Sequence, residues 1–219
     1  MTVILLAGDS TVAACPADET PMSGWGAHLG APLNAGVNEA LVSRGRPAVT
    51  VAVLNVAKGG ATTASHRAEG LWDALLAQAN PSDMVVIQFG HNDQKYEDLP
   101  AYGAFRANLE RFIAEARAAG CHPVLCTPLA RRYFQGDRLT NTHGEYPDAV
   151  RAAARSANVP LLDLTAWSTK LYEGLGPVNS KSLFTDRDDS HFGFTGACVV
   201  AQHVAEQLTP LILYLWGTK

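Results

Sequence analysis

The feature that most limits the fold is a repeated alternation of short apolar, β-branched runs with longer stretches of helical periodicity. The runs are Val3 to Leu6, Val49 to Val56, Met84 to Phe89, Pro123 to Cys126 and Val159 to Leu162. A parallel sheet needs this alternation, because each strand must be followed by a crossover that carries the chain back to the same end, and the crossovers cover both faces. The first three runs lack the polar-apolar alternation of a half-exposed strand, so both of their faces are expected to be buried. An α/β fold follows.

The clearest helix is expected over about Ala101 to Ala119, where Tyr102, Phe105, Leu109, Phe112, Ile113 and Ala116 share one stripe and Gly120 supplies the stop. A second is expected from about Ala64 to Ala79, with Leu71, Leu75 and Leu76 inward, ending at Asn80-Pro81. A third covers about Tyr146 to Ala157, with Val150 inward. The last starts near Thr195, read as an N-cap, and places Val200, Val204 and Leu208 at successive i, i+4 positions. Leu129 to His143 reads as a long exposed loop.

A chain of 219 residues, 47% hydrophobic and 17% charged, can bury one substantial core, and no linker or repeat divides it, so a single domain over 1–219 is expected. Mean hydropathy is −0.01, and no apolar run approaches the length of a bilayer-spanning helix, which argues against a membrane protein. The start, Met1 to Ser10, has no basic lead, and its short apolar run enters a Gly-Asp-Ser turn, unlike a secretory signal; a cytoplasmic location is the expectation. With a net charge of −4 there is no positive field to hold a phosphate backbone, so nucleic acid is not an expected partner. Cys15, Cys121, Cys126 and Cys198 show neither a Cys-x-x-Cys pair nor zinc spacing, and are read as free buried thiols.

In an open parallel sheet, ligands sit beyond the carboxyl ends of the strands. Three of the expected strands run into Gly8-Asp9-Ser10-Thr11, Ala57-Lys58-Gly59-Gly60-Ala61-Thr62 and Phe89-Gly90-His91-Asn92-Asp93, and a fourth element, Asp188 to Gly193, precedes the last helix. Each alone has an ordinary explanation: a serine can cap a helix, a glycine can make a turn, an asparagine can cap or turn, and a histidine can sit satisfied in a surface turn. Together they supply complementary chemistry. A serine hydroxyl is a poor nucleophile until a base removes its proton. Asp188 and His191 are close enough in one turn for the carboxylate to accept from Nδ1–H and leave Nε2 facing Ser10. Gly60 can lend a backbone amide and Asn92 a side-chain amide to a developing oxyanion, the glycine admitting close approach where a Cβ would collide. His28, His66, His122, His143 and His203 have no acidic partner at such spacing and are read as structural or solvated.

These blocks, Gly8-Asp9-Ser10, Gly60, Gly90-His91-Asn92-Asp93 and Asp188 to His191, resemble the four motif blocks of the SGNH superfamily of GDSL-type esterases. Within it the chain resembles the rhamnogalacturonan acetylesterase branch, through Leu6-Ala-Gly-Asp-Ser-Thr-Val12, Gly24-Trp-Gly26, Phe89-Gly-His-Asn-Asp-Gln94, Thr127-Pro-Leu-Ala-Arg-Arg132 and Leu183-Phe184. The resemblance covers nearly the whole chain. It implies a three-layer α/β/α sandwich with a central five-stranded parallel sheet, of flavodoxin-like kind, and an acyl-enzyme mechanism without metal or cofactor. It implies Ser10 as nucleophile, His191 as base, Asp188 as its orienting acid, and an oxyanion hole from the Ser10 and Gly60 amides and the Asn92 side chain. The family's second block often continues from glycine into arginine and serine, whereas Ala61-Thr62 follows here.

The expected substrate is an acetylated, pectic oligosaccharide, and with no secretion signal read in the chain, an imported one. No long apolar insertion is present to line an acyl channel, which favours a small acyl group. Lys58, Arg131 and Arg132 are candidate contacts for a uronate carboxylate, and His91 a further candidate substrate contact. A thioesterase or lysophospholipase of the same superfamily would use the same residues on a longer chain. A nucleotide-binding module is the competing class, but the first loop lacks G-x-x-x-x-G-K-[ST] and G-x-G-x-x-G. No H-E-x-x-H and no carboxylate and histidine cluster with ligand spacing suggests a metal.

Overall fold

The computed structural model describes residues 3–217. Met1 and Thr2, where the N-terminal reading began, lie outside the described residues. Five strands, β1 (Val3–Gly8), β2 (Ala52–Asn55), β3 (Met84–Gln88), β4 (His122–Cys126) and β7 (Leu161–Leu162), form one sheet in the order β2-β1-β3-β4-β7. All neighbours are parallel, with Leu5 opposite Leu54 on one side and Val85 on the other. The fold expected from the sequence and its resemblance is the one observed.

Successive strand residues point to opposite faces, and here both faces are apolar. Ile4, Leu6, Met84, Val86, Val124 and Cys126 join one core with residues of α1 (Gly30–Val42) and α7 (Phe194–Gly217), among them Leu33, Val37, Val200 and Val204. Leu5, Ala7, Val85, Ile87 and Leu125 join a second core with Trp72, Phe112, Ala153 and their neighbours on α3 (Leu71–Leu76), α4 (Arg106–Ala118) and α5 (Tyr146–Ala157). Each of these aliphatic side chains contributes roughly 1.5–3 kcal/mol by leaving water, and this two-sided burial is why the strand runs show no polar alternation.

Several local expectations are corrected. The stretch expected as one helix from Ala64 to Ala79 is two, α2 (Thr63–Ala68) and α3, because Gly70 takes φ +73°; Trp72 and Leu75 turn inward, while Leu71 and Leu76 are only half-buried. Tyr102 is 53% exposed, because the backbone at Gly103 departs from helical geometry and sets Tyr102 off the stripe that Phe105 to Ala116 follow inward. The last helix starts at Phe194, so Thr195 lies in its first turn and is not its N-cap. The run from Val49 joins the sheet only at Ala52. Its first residues are held instead by α1, where Asn38 exchanges two hydrogen bonds with the Val49 backbone (2.9 and 2.7 Å) and Asn34 two with Val51 (2.9 and 2.8 Å).

α1 and α6 (Leu164–Asn179) carry Gly, Pro and Asn at a density that obscures helical periodicity. The segment Leu129 to His143 is not a wholly exposed loop: Leu129, Ala130 and His143 are buried, and β5 (Phe134–Gln135) pairs antiparallel with β6 (Arg138–Leu139). All four cysteines are free, with Cys121 and Cys126 buried but Cys15 and Cys198 only half-buried. Among the described residues no helix is long and apolar enough to cross a membrane.

Candidate active site

The loops that leave the carboxyl ends of β1, β2 and β3 meet the turn before α7. After β1, Asp9 closes a tight turn, its carbonyl accepting from Val12 N (3.1 Å) and Ala13 N (3.0 Å), while its carboxylate accepts from the Thr11 amide (2.9 Å) and hydroxyl (2.8 Å). Gly8 permits this geometry, since a Cβ there would lie 2.6 Å from Val12 Cγ2 and 2.9 Å from the Gln88 carbonyl. The turn leaves Ser10 at the surface of an open cleft of about 170 Å³.

Ser10 Oγ lies 3.0 Å from His191 Nε2. His191 Nδ1–H donates to Asp188 Oδ2 at 2.7 Å, and Asp188 Oδ1 accepts from the Ser190 and His191 amides, both at 2.8 Å. Burial pushes the Asp188 carboxyl up, but the hydrogen bonds from the His191 ring and from the two amides outweigh it and hold it below the usual carboxylate range. With Nδ1 fixed as the donor, Nε2 is left to accept the Ser10 proton. The turn is anchored from several sides: Thr185 N donates to the His191 carbonyl (2.9 Å), Phe184 bridges Phe192, and Arg132 N donates to the Asp189 carbonyl (2.8 Å).

The loop after β2 is tied to β1 by Lys58 N donating to the Gly8 carbonyl (3.0 Å) and closes on itself through Ala61 N to the Lys58 carbonyl (3.1 Å). Ala61-Thr62, in place of arginine and serine, leads into a capping box in which Thr62 and Ser65 exchange hydrogen bonds at 2.9 Å and start α2. Gly60 has φ +76°, and a Cβ built on it meets nothing within 4 Å. Within the chain itself it is the backbone conformation, and not crowding by neighbouring residues, that calls for glycine here. Asn92 is 7% exposed and its Nδ2 donates to the Ala61 carbonyl (3.0 Å), which brings it beside the Gly60 turn. Among the described residues neither the Ser10 nor the Gly60 amide donates to another protein group. The arrangement thus gathers the Ser10 hydroxyl, the His191 ring and the Asn92 amide at one cleft, with the Gly60 turn tied to Asn92 through Ala61, groups of the kind an acyl-transfer reaction uses.

The other expected site residues fare differently. Lys58 Nζ pairs with Glu69 on an exposed surface. Arg132 places its guanidinium on Asp189 (Nε, 2.7 Å) and on the Pro177 carbonyl (Nη1, 2.6 Å), so it braces the His191 turn. His91 lines the cleft, and its ring nitrogens meet partners inside the protein, Nδ1 at 3.1 Å from Asp9 Oδ2 and Nε2 at 3.0 Å from the Leu129 carbonyl. Of the cationic candidates only Arg131 stays at the cleft wall, with Nη2 on the His91 carbonyl (3.1 Å) and Nη1 on the Thr142 carbonyl (3.3 Å).

Sequence reasoning missed Lys95, which also lines the cleft and donates to Asn92 Oδ1 (2.7 Å). It missed Asp93 too, whose Oδ1 accepts from Thr63 N (2.8 Å) and Thr63 Oγ1 (2.6 Å) and so joins the β3 loop to α2. Burial raises the Asp93 carboxyl despite these bonds. The spacing Asn92-Asp-Gln-Lys95, one helical turn, was the available signal for Lys95. Among the described residues no group of three or more His, Cys, Asp or Glu is placed to hold a metal ion.

Beneath the cleft lies a buried polar cluster. Burial raises the Asp9 carboxyl, but the His91 charge and hydrogen bond, with Thr11, bring it below its ordinary value. The Leu129 carbonyl accepts from both His91 and His143 Nε2 (2.8 Å). Gln94 accepts from Arg131 Nη1 and Nη2 (2.6 and 2.9 Å) and donates to His143 Nδ1 (3.2 Å). His143 is thus a neutral donor and acceptor, and burial together with the His91 and Arg131 charges depresses it to about 3.

Since an unfolded histidine titrates near about 6.5, the unfolded chain binds a proton between these values that the folded chain does not, and stability falls as pH drops through that window. His143 should contribute up to about 1.4 kcal/mol per pH unit of acid destabilisation between about pH 6 and 4. That window lies above the one where the depressed Asp9 and Asp188 carboxyls act, whose stabilisation is lost only as pH falls below about 4. Thermal melts at stepped pH should show the loss, with a flatter profile in His143→Gln; an equally steep profile in the variant would place the proton uptake elsewhere.

A profile of the GDSL-like Lipase/Acylhydrolase family matches residues 6–208. The chain is 41% identical over 226 residues to "Rhamnogalacturonan acetylesterase RhgT" of Bacillus subtilis, covering 97% of this chain and 91% of that protein. It is 32% identical over 222 residues to "Probable rhamnogalacturonan acetylesterase YesY" of the same organism, covering 97% and 94%. The crystal structure of protein YxiM from Bacillus subtilis superposes with a TM-score of 0.80 at 24% identity, over 96% of this chain and 56% of that one, a likeness of fold.

Proposed function

This chain belongs to the GDSL-like Lipase/Acylhydrolase family, and we propose that it is a serine esterase that removes acetyl groups from pectic, rhamnogalacturonan-derived oligosaccharides through an acetyl-enzyme. The observation that carries this reading is the hydrogen-bonded chain Ser10, His191, Asp188 opening onto the same cleft as Asn92.

As Ser10 Oγ attacks the acetyl carbonyl, its proton passes to His191 Nε2. The carbonyl oxygen, now anionic, is held by the Ser10 and Gly60 amides and Asn92 Nδ2–H. The tetrahedral adduct collapses, the bond to the sugar oxygen breaks, and His191 returns the proton to that oxygen. Water then gives its proton to His191 and attacks the acetyl-enzyme, and collapse of the second adduct releases acetate and restores Ser10. Asp188 stays ionised throughout and favours the imidazolium electrostatically.

The acetyl preference is supported by the cleft wall, whose members Thr11, His91, Asn92, Lys95, Arg131 and Ser190 include no Val, Leu, Ile, Met or Phe to line a channel for a long acyl chain. The sugar is supported by the names of the two Bacillus subtilis relatives, and by Lys95 and Arg131, two cations at the cleft that suit an acidic saccharide. Acetate release should be faster from acetylated rhamnogalacturonan oligosaccharides than from acetyl-xylan fragments, and p-nitrophenyl esters should turn over best at acetate. A maximum at octanoate would favour the thioesterase or lysophospholipase alternative. Equal rates on the two saccharides would remove the pectic assignment and leave the esterase.

A further inference from the structure

Asn92 has two side-chain N–H bonds, and the structure spends one of them on the Ala61 carbonyl (3.0 Å). The other is the one an oxyanion would use, so what fixes this amide fixes that donor. Lys95 is the second anchor. A single 3-10 turn, Asp93–Lys95, with Lys95 N donating to the Asn92 carbonyl (2.9 Å), returns the lysine ammonium to the Asn92 side chain, and Nζ donates to Oδ1 at 2.7 Å.

The two anchors act in the same sense. Turning the amide over would set Oδ1 against the Ala61 carbonyl and NH₂ against the ammonium, two repulsive contacts in place of two hydrogen bonds. A cation on the amide oxygen also draws charge through the amide and makes the opposite N–H a stronger donor, an effect that is larger where solvent is scarce. Asn92 is 7% exposed. We propose that Lys95 is a positioning residue that orients and polarises Asn92 for the oxyanion, acting through that side chain and not by touching the reacting group. The inference rests on the esterase reading above.

An oxyanion donor is felt in the transition state far more than in the bound ester, so its weakening appears in kcat rather than KM. With p-nitrophenyl acetate, a neutral substrate that offers a cation nothing to pair with, Lys95→Met should lower kcat about tenfold and change KM by less than about twofold. Lys95→Arg should recover most of the loss. Asn92→Ala alone should cost about 100- to 1000-fold, and adding Lys95→Met to it should cost less than about twofold more, because the two residues act as one unit. Lys95 is exposed, so Lys95→Met should melt at the temperature of the parent chain.

Three results would overturn the proposal: an unchanged kcat in Lys95→Met, a loss carried in KM instead, or a full tenfold loss persisting in the Asn92→Ala background. Failure of the esterase reading itself would look different, since Ser10→Ala and Asn92→Ala would then both leave turnover intact.

Discussion

Replacing Ser10 by alanine is expected to lower acetate release from p-nitrophenyl acetate by on the order of 10⁵-fold or more, leaving the fold in place. The loss is that large because, among the described residues, Ser10 carries the hydroxyl that hydrogen-bonds His191 Nε2: the variant keeps the His191 and Asp188 pair and the three donors, which can still bind and polarise an ester, but loses the hydroxyl that would form the acetyl-enzyme. Residual turnover should come only from water attacking directly in the prepared site. The fold survives because the hydroxyl makes one partly buried hydrogen bond, to His191 at 3.0 Å, worth about 1 kcal/mol. A fluorophosphonate should label the parent chain and fail to label Ser10→Ala, while their melting temperatures agree within a few degrees. A variant that kept its turnover, or was still labelled, would move the nucleophile to another residue.

Asp188→Asn is expected to lower kcat by about 10⁴-fold with KM little changed. The side chain would be nearly isosteric, and its oxygen could go on accepting from the Ser190 and His191 amides, now at 2.8 Å. Its amide nitrogen would then face Nδ1 as a donor. His191 would be driven to the tautomer with its proton on Nε2, where it points at Ser10 and cannot accept. Asp189→Asn is the comparison, because Asp189 lies beside Asp188 in sequence but turns to Arg132 and, at 4.0 Å, to Lys181. Its loss should loosen the turn and cost about tenfold or less. Equal losses at the two positions would mean that the turn's shape, and not the tautomer, is what Asp188 supplies.

The meeting of Ser10, His191 and Asp188 was legible in the sequence because acyl-transfer chemistry restricts residue type severely, and Asp188 and His191 sit three residues apart in one turn. The sheet was legible because two-sided burial leaves unbroken apolar runs. Cations were not. Lys58, Arg131 and Arg132 looked alike as letters, yet Lys58 finds Glu69, Arg132 finds Asp189, and only Arg131 keeps to the cleft. A long charged side chain takes whichever partner the tertiary structure brings within reach, and nothing local announces which. α1 hid for a related reason: Asn34 and Asn38 look like helix-weakening residues until their bonds to Val51 and Val49 are seen. The φ of +76° at Gly60 was not legible, since a left-handed backbone leaves no trace in the sequence that distinguishes it from any other turn glycine.

Ser10 and His191 stand 181 positions apart and meet at 3.0 Å, and every strand of the sheet after β1 is laid down between them. Hydrolysis therefore belongs only to the finished chain. A nascent polypeptide that has not yet reached His191 carries the Ser10 hydroxyl without the imidazole that meets it, so no half-made copy holds the pair.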